Sequence, residues 1–240
     1  MRRECFAAHW DEFDTGLERA LCWRGRNYAA LLPKPLSGAD KDVCPAFVFA
    51  LTSGSDLRRR DIVELALSVE YTYLSFRVHR FIREIKSAER ERQYSVLFGD
   101  FFSAKVLTSL SGDLLYPQTC KYTEVMRTMN EGALLRRRLP PGSEDAAAWR
   151  EVLLREKAAL LLPARVIEEW RLFPREETQG LEGAAAELAV LWGAGEEGKP
   201  DLLRAGLAAT EKAIAGTPPG LRENLRSFFL DLTAGLGARA

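Results

Sequence analysis

Histidine and cysteine are scarce in this chain, which has two histidines and four cysteines among its 240 residues. No two cysteines form a Cys-x-x-Cys pair, so the sequence offers no common zinc-binding motif. A Gly-x-Ser-x-Gly elbow and a phosphate-binding Gly-Lys-Ser/Thr loop are also absent. We therefore expect neither the usual serine hydrolase chemistry nor a P-loop nucleotide site.

An excess of one charge is lacking as well, because 34 basic and 34 acidic side chains cancel. This balance gives no field that would attract nucleic acid, so we expect no nucleic-acid partner. The longest uncharged stretch, Val43–Ser55, is too short for a transmembrane segment, which needs about 20 apolar residues. No apolar stretch follows Met1-Arg2-Arg3-Glu4, so we expect no signal peptide and a cytoplasmic protein with reduced thiols.

Helical periodicity fills most of the chain between its prolines and glycines. The longest pattern runs from residue 56 to 88, and Ser55 or Asp56 is expected to cap that helix. Further along the chain, helices are predicted from Tyr94 to about Gly112, over Gln118–Arg138 and over Leu221–Leu236. Only Val43–Thr52 has the pattern of a strand, and a lone strand has nothing to pair with. The predicted fold class is therefore all-α, a helical bundle. The apolar stripe of the longest helix comprises Ile62, Ala66, Val69, Tyr73 and Phe76.

The chain shows no internal repeat and no low-complexity tail. We expect a single domain over residues 1–240, with a hinge near residues 140–144, where Pro140 and Pro141 stop a helix. Alanine runs at 146–148 and 184–186 suit a bundle interior, because small side chains let helices approach closely.

Two polar clusters are candidates for ligand binding, and two further polar features have a structural explanation. Arg58-Arg59-Arg60 lies at a helix N-terminus, where the helix dipole disfavours positive charge, so both a binding role and a solvated face stay open. Arg136-Arg137-Arg138 lies at a helix C-terminus, where the same dipole favours it. His79 is expected to pack between helices. The densest set of metal-ligand types is His9, Asp11, Glu12 and Asp14.

Two segments of the first half carry longer motifs. Glu70-Tyr71-Thr72-Tyr73-Leu74 leads to Val78-His79, and Tyr94–Phe101 reads Tyr-Ser-Val-Leu-Phe-Gly-Asp-Phe. These segments resemble trans-polyprenyl diphosphate synthases, in which a helix ends in His-Asp-Asp-x-x-Asp and a later helix carries Ala-Ile-Leu-x-Gly-Asp-x-Leu. The resemblance implies the isoprenoid synthase type of helical bundle. Such enzymes join isopentenyl diphosphate to an allylic diphosphate, and two aspartate-rich motifs hold the magnesium ions that take the charge of the leaving pyrophosphate.

The metal motifs of that family are missing here. His79 is followed by Arg80-Phe81 instead of Asp-Asp, and no Asp-Asp pair occurs anywhere in the chain. The family's Gly-Lys-Arg-x-Arg-Pro motif, which binds isopentenyl diphosphate, is replaced here by Asp40-Lys41-Asp42-Val43-Cys44-Pro45. Lys157-Ala158-Ala159 replaces Lys-Thr-Ala, and Leu191–Glu197 resembles the Phe-Gln-x-x-Asp-Asp segment without its glutamine. Glu196-Glu197 is therefore the remaining candidate for attracting a cation.

The chain keeps other landmarks of these synthases but lacks their metal motifs. In this respect it is similar to component I of heterodimeric heptaprenyl or hexaprenyl diphosphate synthases, which is the small non-catalytic subunit. Asn130-Glu131 fits the same group. The resemblance implies a chain that is inactive alone and has no cofactor or metal of its own. It further implies a catalytic large subunit that carries magnesium. The pair would make the side chain of menaquinone, and the small subunit would help to set its length.

Other interpretations stay open. The chain could be a stand-alone remodelled prenyltransferase that uses Glu196-Glu197 and Arg58-Arg59-Arg60. It could also be a helical scaffold that binds an isoprenoid chain without a catalytic partner. A homodimer in the absence of the large subunit is compatible with each interpretation.

The helix that begins near Tyr94 is the predicted subunit interface. The resemblance implies this, because the helix with Gly-Asp forms the subunit contact in homodimeric synthases. Consecutive helical residues point about 100° apart, so the whole aromatic set cannot face one core. We expect at least one of its phenylalanines to be exposed in the isolated chain, although a helix buried on all sides would carry the same residues. The interface set is Tyr94, Leu97, Phe98, Phe101 and Phe102.

Overall fold

The computed structural model describes residues 3–32, 36, 39–84, 89–172, 178 and 180–237. Within these residues the chain is helical apart from short turns and one hairpin, whose two strands have two residues each. This confirms the all-α prediction. No described helix is long and apolar enough to cross a bilayer. The helices with described bounds are α1 (Ala7–Leu21), α2 (Ala39–Thr52), α3 (Arg59–Glu84), α4 (Glu89–Leu110), α5 (Thr119–Arg138), α6 (Ala146–Glu156), α7 (Leu161–Trp170), α8 (Leu181–Glu196), α9 (Pro200–Ala215) and α10 (Pro219–Gly237).

Two compact units divide the chain. The N-terminal unit comprises Arg2–Phe49 and Leu57–Thr119, and the C-terminal unit comprises Met1, Ala50–Asp56 and Cys120–Ala240. The expectation of one domain with a hinge near residues 140–144 stays a prediction. At that place α5 ends at Arg138, and the Asp145 side chain caps α6 by accepting from the Ala148 backbone N–H.

In the N-terminal unit, α3 packs along α4 and also against α1. Tyr73 is fully buried, and burial extends around α3 far beyond the predicted apolar stripe. Small residues allow the helices to approach closely. A Cβ atom added to Gly16 of α1 would lie 2.8 Å from Leu67 of α3, too close for an ordinary contact. A hairpin follows α1, pairing Cys22–Trp23 with Arg26–Asn27, and its turn places Arg24 and Gly25 at positive φ as a type I′ turn requires.

In the C-terminal unit, α8 is the central helix, and it packs against α6, α7, α9 and α10. Glycines again mark the tightest crossings: a Cβ atom on Gly193 would lie 2.9 Å from Leu153 of α6. Burial is continuous over Leu188–Ala194, which agrees with a helix surrounded on all sides. The stripe predicted for α10 is confirmed, since its five members are all buried: Leu221, Leu225, Phe228, Leu232 and Leu236.

Two local predictions were wrong. Val43–Thr52 belongs to helix α2 rather than to a strand, because an isolated strand would leave its buried backbone groups without hydrogen-bond partners. Neither Ser55 nor Asp56 caps α3. That helix begins at Arg59, and the Ser55 hydroxyl donates to the carbonyl of Thr52 at the end of α2.

Candidate functional site

The His79 and Gly99-Asp100 motifs meet inside the N-terminal unit. His79 Nε2 lies 3.2 Å from Asp100 Oδ1, within hydrogen-bond distance. A Cβ atom added to Gly99 would lie 2.4 Å from the His79 ring, so only glycine lets α4 pass this close to the imidazole. The expectation that His79 packs between helices is therefore met, and the two motifs form one structural contact between α3 and α4.

Asp40 lies where the resemblance places a diphosphate-binding motif, but it is part of a buried structural cluster. Its side chain is 1% exposed, and Oδ1 accepts a hydrogen bond from Tyr73 at 2.7 Å. The same oxygen lies 3.1 Å from Nε of Arg77. Asp42 pairs with Arg3 at 2.7 Å. The acidic side chains of this segment thus hold helices together, and their negative charge opposes the binding of a diphosphate.

The Glu196 side chain is paired with Lys157 inside the C-terminal unit. Lys157 Nζ lies 2.6 Å from Glu196 Oε2, and the two side chains are 4% and 9% exposed. The ammonium also lies 3.6 Å from the centre of the Trp192 ring, a cation–π contact. Glu196 Oε1 is buried without a hydrogen-bond partner. Lys157, which matches the lysine of the family's Lys-Thr-Ala motif, is therefore paired with a residue of the chain itself.

Arg136 pairs with Glu197 in the same part of the unit. Its guanidinium makes two bonds to the buried Glu156, at 2.8 and 2.6 Å, and lies 2.9 Å from Glu197 Oε2. The Trp149 ring stacks 4.9 Å away. A Cβ atom on Gly132 would lie 2.9 Å from the Glu156 backbone nitrogen, so this glycine allows the close approach of α5 and α6.

Magnesium binding does not fit these residues. Mg²⁺ requires near-octahedral oxygen coordination, whereas Glu196 and Glu197 each direct an oxygen at a cation of the chain. The described residues contain no group of three or more His, Cys, Asp or Glu side chains that could hold a metal ion. The candidate ligands His9, Asp11, Glu12 and Asp14 do not form one metal site, since Glu12 pairs with Arg59 and Asp14 pairs with Arg3.

The segment 193–198 also has Gly-x-Gly-x-x-Gly spacing, which is typical of dinucleotide-binding turns. Here Gly193 and Gly195 lie in the last turn of α8, and Gly198 lies in the short turn before α9. The first two glycines, which would approach the phosphates, are therefore at the wrong end of a helix. A phosphate would need the N-terminal end of a helix, so this pattern carries no nucleotide site. Gly193 and Gly195 instead make room for Leu153 and Leu236.

The first arginine triplet is divided among different surroundings. Arg58 bonds Asp61 at 2.8 and 3.0 Å, and this contact raises the pKa of the guanidinium. Arg59 pairs with Glu12 at 3.1 Å. Arg60 is exposed at the edge of a polar pocket. Of the three, only Arg60 has no carboxylate partner among the described residues, although the side chains of Arg58 and Arg59 also remain exposed.

The predicted interface residues of α4 fall into three classes. Phe98 and Phe102 are buried in the N-terminal unit, and Tyr94 and Phe101 are half-buried. Leu97 is 63% exposed. The expectation of an exposed phenylalanine was therefore wrong, because the three rings pack against one another and Phe101 is half-buried. Every member of the set except Phe102 lines an apolar pocket of about 510 Å³.

Comparison with known proteins gave structural neighbours only. No family model matches the chain, and no curated protein matches its sequence. A decaprenyl diphosphate synthase from Rhodobacter capsulatus superposes with a TM-score of 0.75 at 11% identity, covering 98% of both chains. The chain has the isoprenoid synthase fold.

Two plant proteins superpose almost as well. One is a mint deletion mutant of a heterotetrameric geranyl pyrophosphate synthase, with a TM-score of 0.69 and 14% identity over 95% of this chain and 99% of that one. The other is a geranyl diphosphate synthase small subunit from Antirrhinum majus, with a TM-score of 0.69 and 13% identity over the same shares. At these identities the likeness shows the fold, which confirms the predicted fold class.

Sequence reasoning missed the ion-pair partners of the acidic residues. Arg136 was explained by the helix dipole, and Lys157 was noted only for its place in a motif. The missed signal was charge balance: a chain that keeps an acidic pair in an apolar segment must supply cations nearby, because isolated buried charges are costly. Sequence alone does not reveal which of the 34 basic residues those are.

Proposed function

We propose that this chain is the non-catalytic small subunit of a heterodimeric trans-prenyl diphosphate synthase of the component I type. The finer proposal is that it supports the activity of a long-chain synthase and helps to set the length of the menaquinone side chain. The motif resemblance supports this assignment. The structural neighbours support its coarser part, since one of them is itself a small subunit of a prenyl synthase.

The internal pairing of Glu196 and Glu197 carries the proposal. A prenyl synthase must place magnesium against the leaving pyrophosphate, and losing that electrostatic stabilisation removes several kcal/mol from catalysis. Here Lys157 and Arg136 neutralise the one acidic pair left in a motif position. The chain therefore needs a partner that supplies both aspartate-rich motifs and their magnesium. The same pairing disfavours a stand-alone prenyltransferase.

The exposed face of α4 is the surface proposed for that partner. Val96 and Leu107 are 41% and 68% exposed, and eleven helical residues bring them to the same face of α4, since this spacing is close to three full turns. Leu97 adjoins them at 63% exposure. Apolar side chains that stay exposed on one helix are typical of a subunit contact. This surface extends the predicted interface from its buried phenylalanines to its exposed aliphatic side chains.

Activity assays test the division of labour. The chain would be purified alone, a candidate catalytic subunit would be purified alone, and pyrophosphate release would be measured for each and for the mixture, with farnesyl and isopentenyl diphosphate and magnesium. We expect no release from this chain and stimulation in the mixture. Turnover by this chain alone that persists in the Glu196→Gln, Glu197→Gln variant would overturn both the non-catalytic assignment and a catalytic role for the acidic pair.

A binding assay tests the surface. Leu107→Asp places a charge on the exposed face of α4 and should weaken association with the catalytic subunit by at least about tenfold, because a carboxylate buried in an interface loses its hydration. The matched control is Leu230→Asp, which alters an exposed leucine of α10 in the C-terminal unit. Equal affinities for both variants and the parent chain would show that the contact lies elsewhere.

A further inference from the structure

Two pockets adjoin each other in the N-terminal unit. The apolar pocket of about 510 Å³ lies between α4, the end of α1 and the residues after the hairpin. A polar pocket of about 500 Å³ lies between α1, α3 and α4. Arg19 and Lys105 line both pockets, so the two cationic side chains stand at their common boundary.

The apolar pocket has the size and lining of a site for one small hydrophobic group. Ligand pockets in proteins commonly have volumes of about 300–1,000 Å³ and apolar or aromatic walls. Here Tyr94, Leu97, Phe98 and Phe101 form the wall from α4, and Tyr28 and Leu31 form part of the opposite wall. Tyr28 and the α4 aromatics are at least half-buried, so the pocket is formed by side chains already held in place.

The polar pocket has a surplus of positive charge. Within the described chain, Arg19, Arg60 and Lys105 make no ion pair, and Lys105 Nζ lies 5.5 Å from the centre of the Phe101 ring. Of the two carboxylates that line the pocket, Glu12 is already paired with Arg59. Three cations therefore face one remaining carboxylate, that of Glu64. An anionic group with several oxygens would neutralise this excess of positive charge, because charge-assisted hydrogen bonds to guanidinium and ammonium groups are strong.

We propose that this pocket pair binds a single-chain amphiphile with a phosphate or diphosphate head. The hydrocarbon tail lies in the apolar pocket, and the head lies against Arg19, Lys105 and Arg60. A neutral hydrophobic ligand would leave the three cations without partners, and a free phosphate would leave the apolar pocket unused. The inference does not rest on the proposed function, because its observations concern the isolated chain. The two proposals do share Leu97, which lines the apolar pocket and also lies on the surface proposed for the partner.

Calorimetry with simple probes tests the site on the full chain. Dodecyl phosphate, kept below its micelle concentration, should bind at least about tenfold more tightly than dodecanol or inorganic phosphate, because only the first engages both pockets. Equal affinity for dodecanol would overturn the proposed head site. Binding to phosphatidic acid vesicles without binding to monomeric dodecyl phosphate would overturn the single-chain ligand in favour of a membrane surface.

Matched variants locate the site. Leu97→Asp should weaken dodecyl phosphate binding by at least about tenfold, whereas Leu107→Asp should leave it unchanged, because both leucines are exposed on α4 but only Leu97 lines the apolar pocket. Arg19→Glu with Lys105→Glu should have the same effect as Leu97→Asp. Its control is Lys212→Glu with Arg226→Glu, the same charge change at exposed sites of the C-terminal unit.

The outcomes separate this inference from the proposed function. Loss of partner binding in Leu107→Asp with intact dodecyl phosphate binding supports both proposals independently. If Leu97→Asp and the Arg19, Lys105 double variant bind dodecyl phosphate as the parent does, the amphiphile site is refuted, whatever the partner assay gives. If dodecyl phosphate does not bind the isolated parent chain, the inference is likewise refuted, whatever fills the pocket in a complex with the catalytic subunit.

Discussion

Replacing Lys157 with methionine should lower the free energy of unfolding by about 3–5 kcal/mol. The substitution keeps most of the side chain, which is one atom shorter, but leaves the Glu196 carboxylate, 9% exposed, without its cation. Removing one partner of a buried ion pair typically has an effect of this size. Methionine restores part of the contact with the Trp192 ring, because sulfur also packs favourably against aromatic rings. The loss therefore reflects mainly the unpaired carboxylate.

Urea and thermal unfolding measure this effect. For a chain of this size, each kcal/mol corresponds to about 2–4 °C, so the melting temperature should fall by about 6–20 °C. Glu196→Gln should have a smaller effect of about 1–3 kcal/mol, because the amide oxygen still accepts a hydrogen bond from Lys157. The double variant Lys157→Met, Glu196→Met should be more stable than Lys157→Met alone, because it removes both charges of the pair.

The exposed pair of Arg204 and Asp201 supplies the matched control. Its side chains are 81% and 91% exposed, and the closest atoms are 3.7 Å apart. Arg204→Met should change the free energy of unfolding by less than about 0.5 kcal/mol. If Lys157→Met has an effect no larger than that of Arg204→Met, then Glu196 is not held by Lys157. The acidic pair would again be a candidate cation ligand, and the argument for a non-catalytic chain would lose its main support.

Three further predictions concern the N-terminal unit and are measured by urea unfolding. Gly99→Ala should lower the free energy of unfolding by about 1–3 kcal/mol, because its Cβ atom would collide with the His79 ring. The control, Gly235→Ala, places a Cβ atom that meets no atom within 4 Å and should be neutral or stabilising. Equal effects of the two variants would contradict the contact between Gly99 and His79. Asp40→Asn should lower the free energy of unfolding by about 3 kcal/mol, because it removes the buried negative charge that pairs with Arg77, and an effect no larger than that of Asp201→Asn would refute the cluster. Burial and the charge of Arg59 hold the pKa of His9 below its ordinary value, so the unfolded chain takes up this proton more readily, and stability should fall as the pH falls below about 6.5. His9→Asn should reduce that slope, and an unchanged slope would argue against the lowered pKa.

The regular parts of this fold could be predicted because their signal is local. The stripe from Leu221 to Leu236 repeats every three or four residues, and burial on one face of α10 requires that repeat. The hairpin at Cys22–Asn27 was missed because two-residue strands have no period to detect. Val43–Thr52 was misassigned because a short apolar run with β-branched and aromatic residues is compatible with either a strand or a helix buried on all sides.

The candidate sites depended on pairs of residues distant in the sequence. Glu196 and Glu197 were identified from a motif, but their neutralisation required Lys157, which directly follows α6, and Arg136 of α5. The exposure of Leu97 and Leu107 was equally hidden, since α4 carries apolar residues around most of its circumference. The common boundary of the two pockets, formed by Arg19 and Lys105, joins helices α1 and α4 and follows no sequence pattern.

By itself, the sequence determined the helical class, the order of the main helices and the loss of paired aspartates, because each of these follows from residue types and spacings along the chain. Tertiary structure alone decided which charges neutralise one another, which face of α4 remains exposed and where an apolar pocket meets unpaired cations. The physical reason is that helical periodicity acts over a few residues, whereas ion pairing, burial and cavities depend on distances in space between residues far apart in the chain.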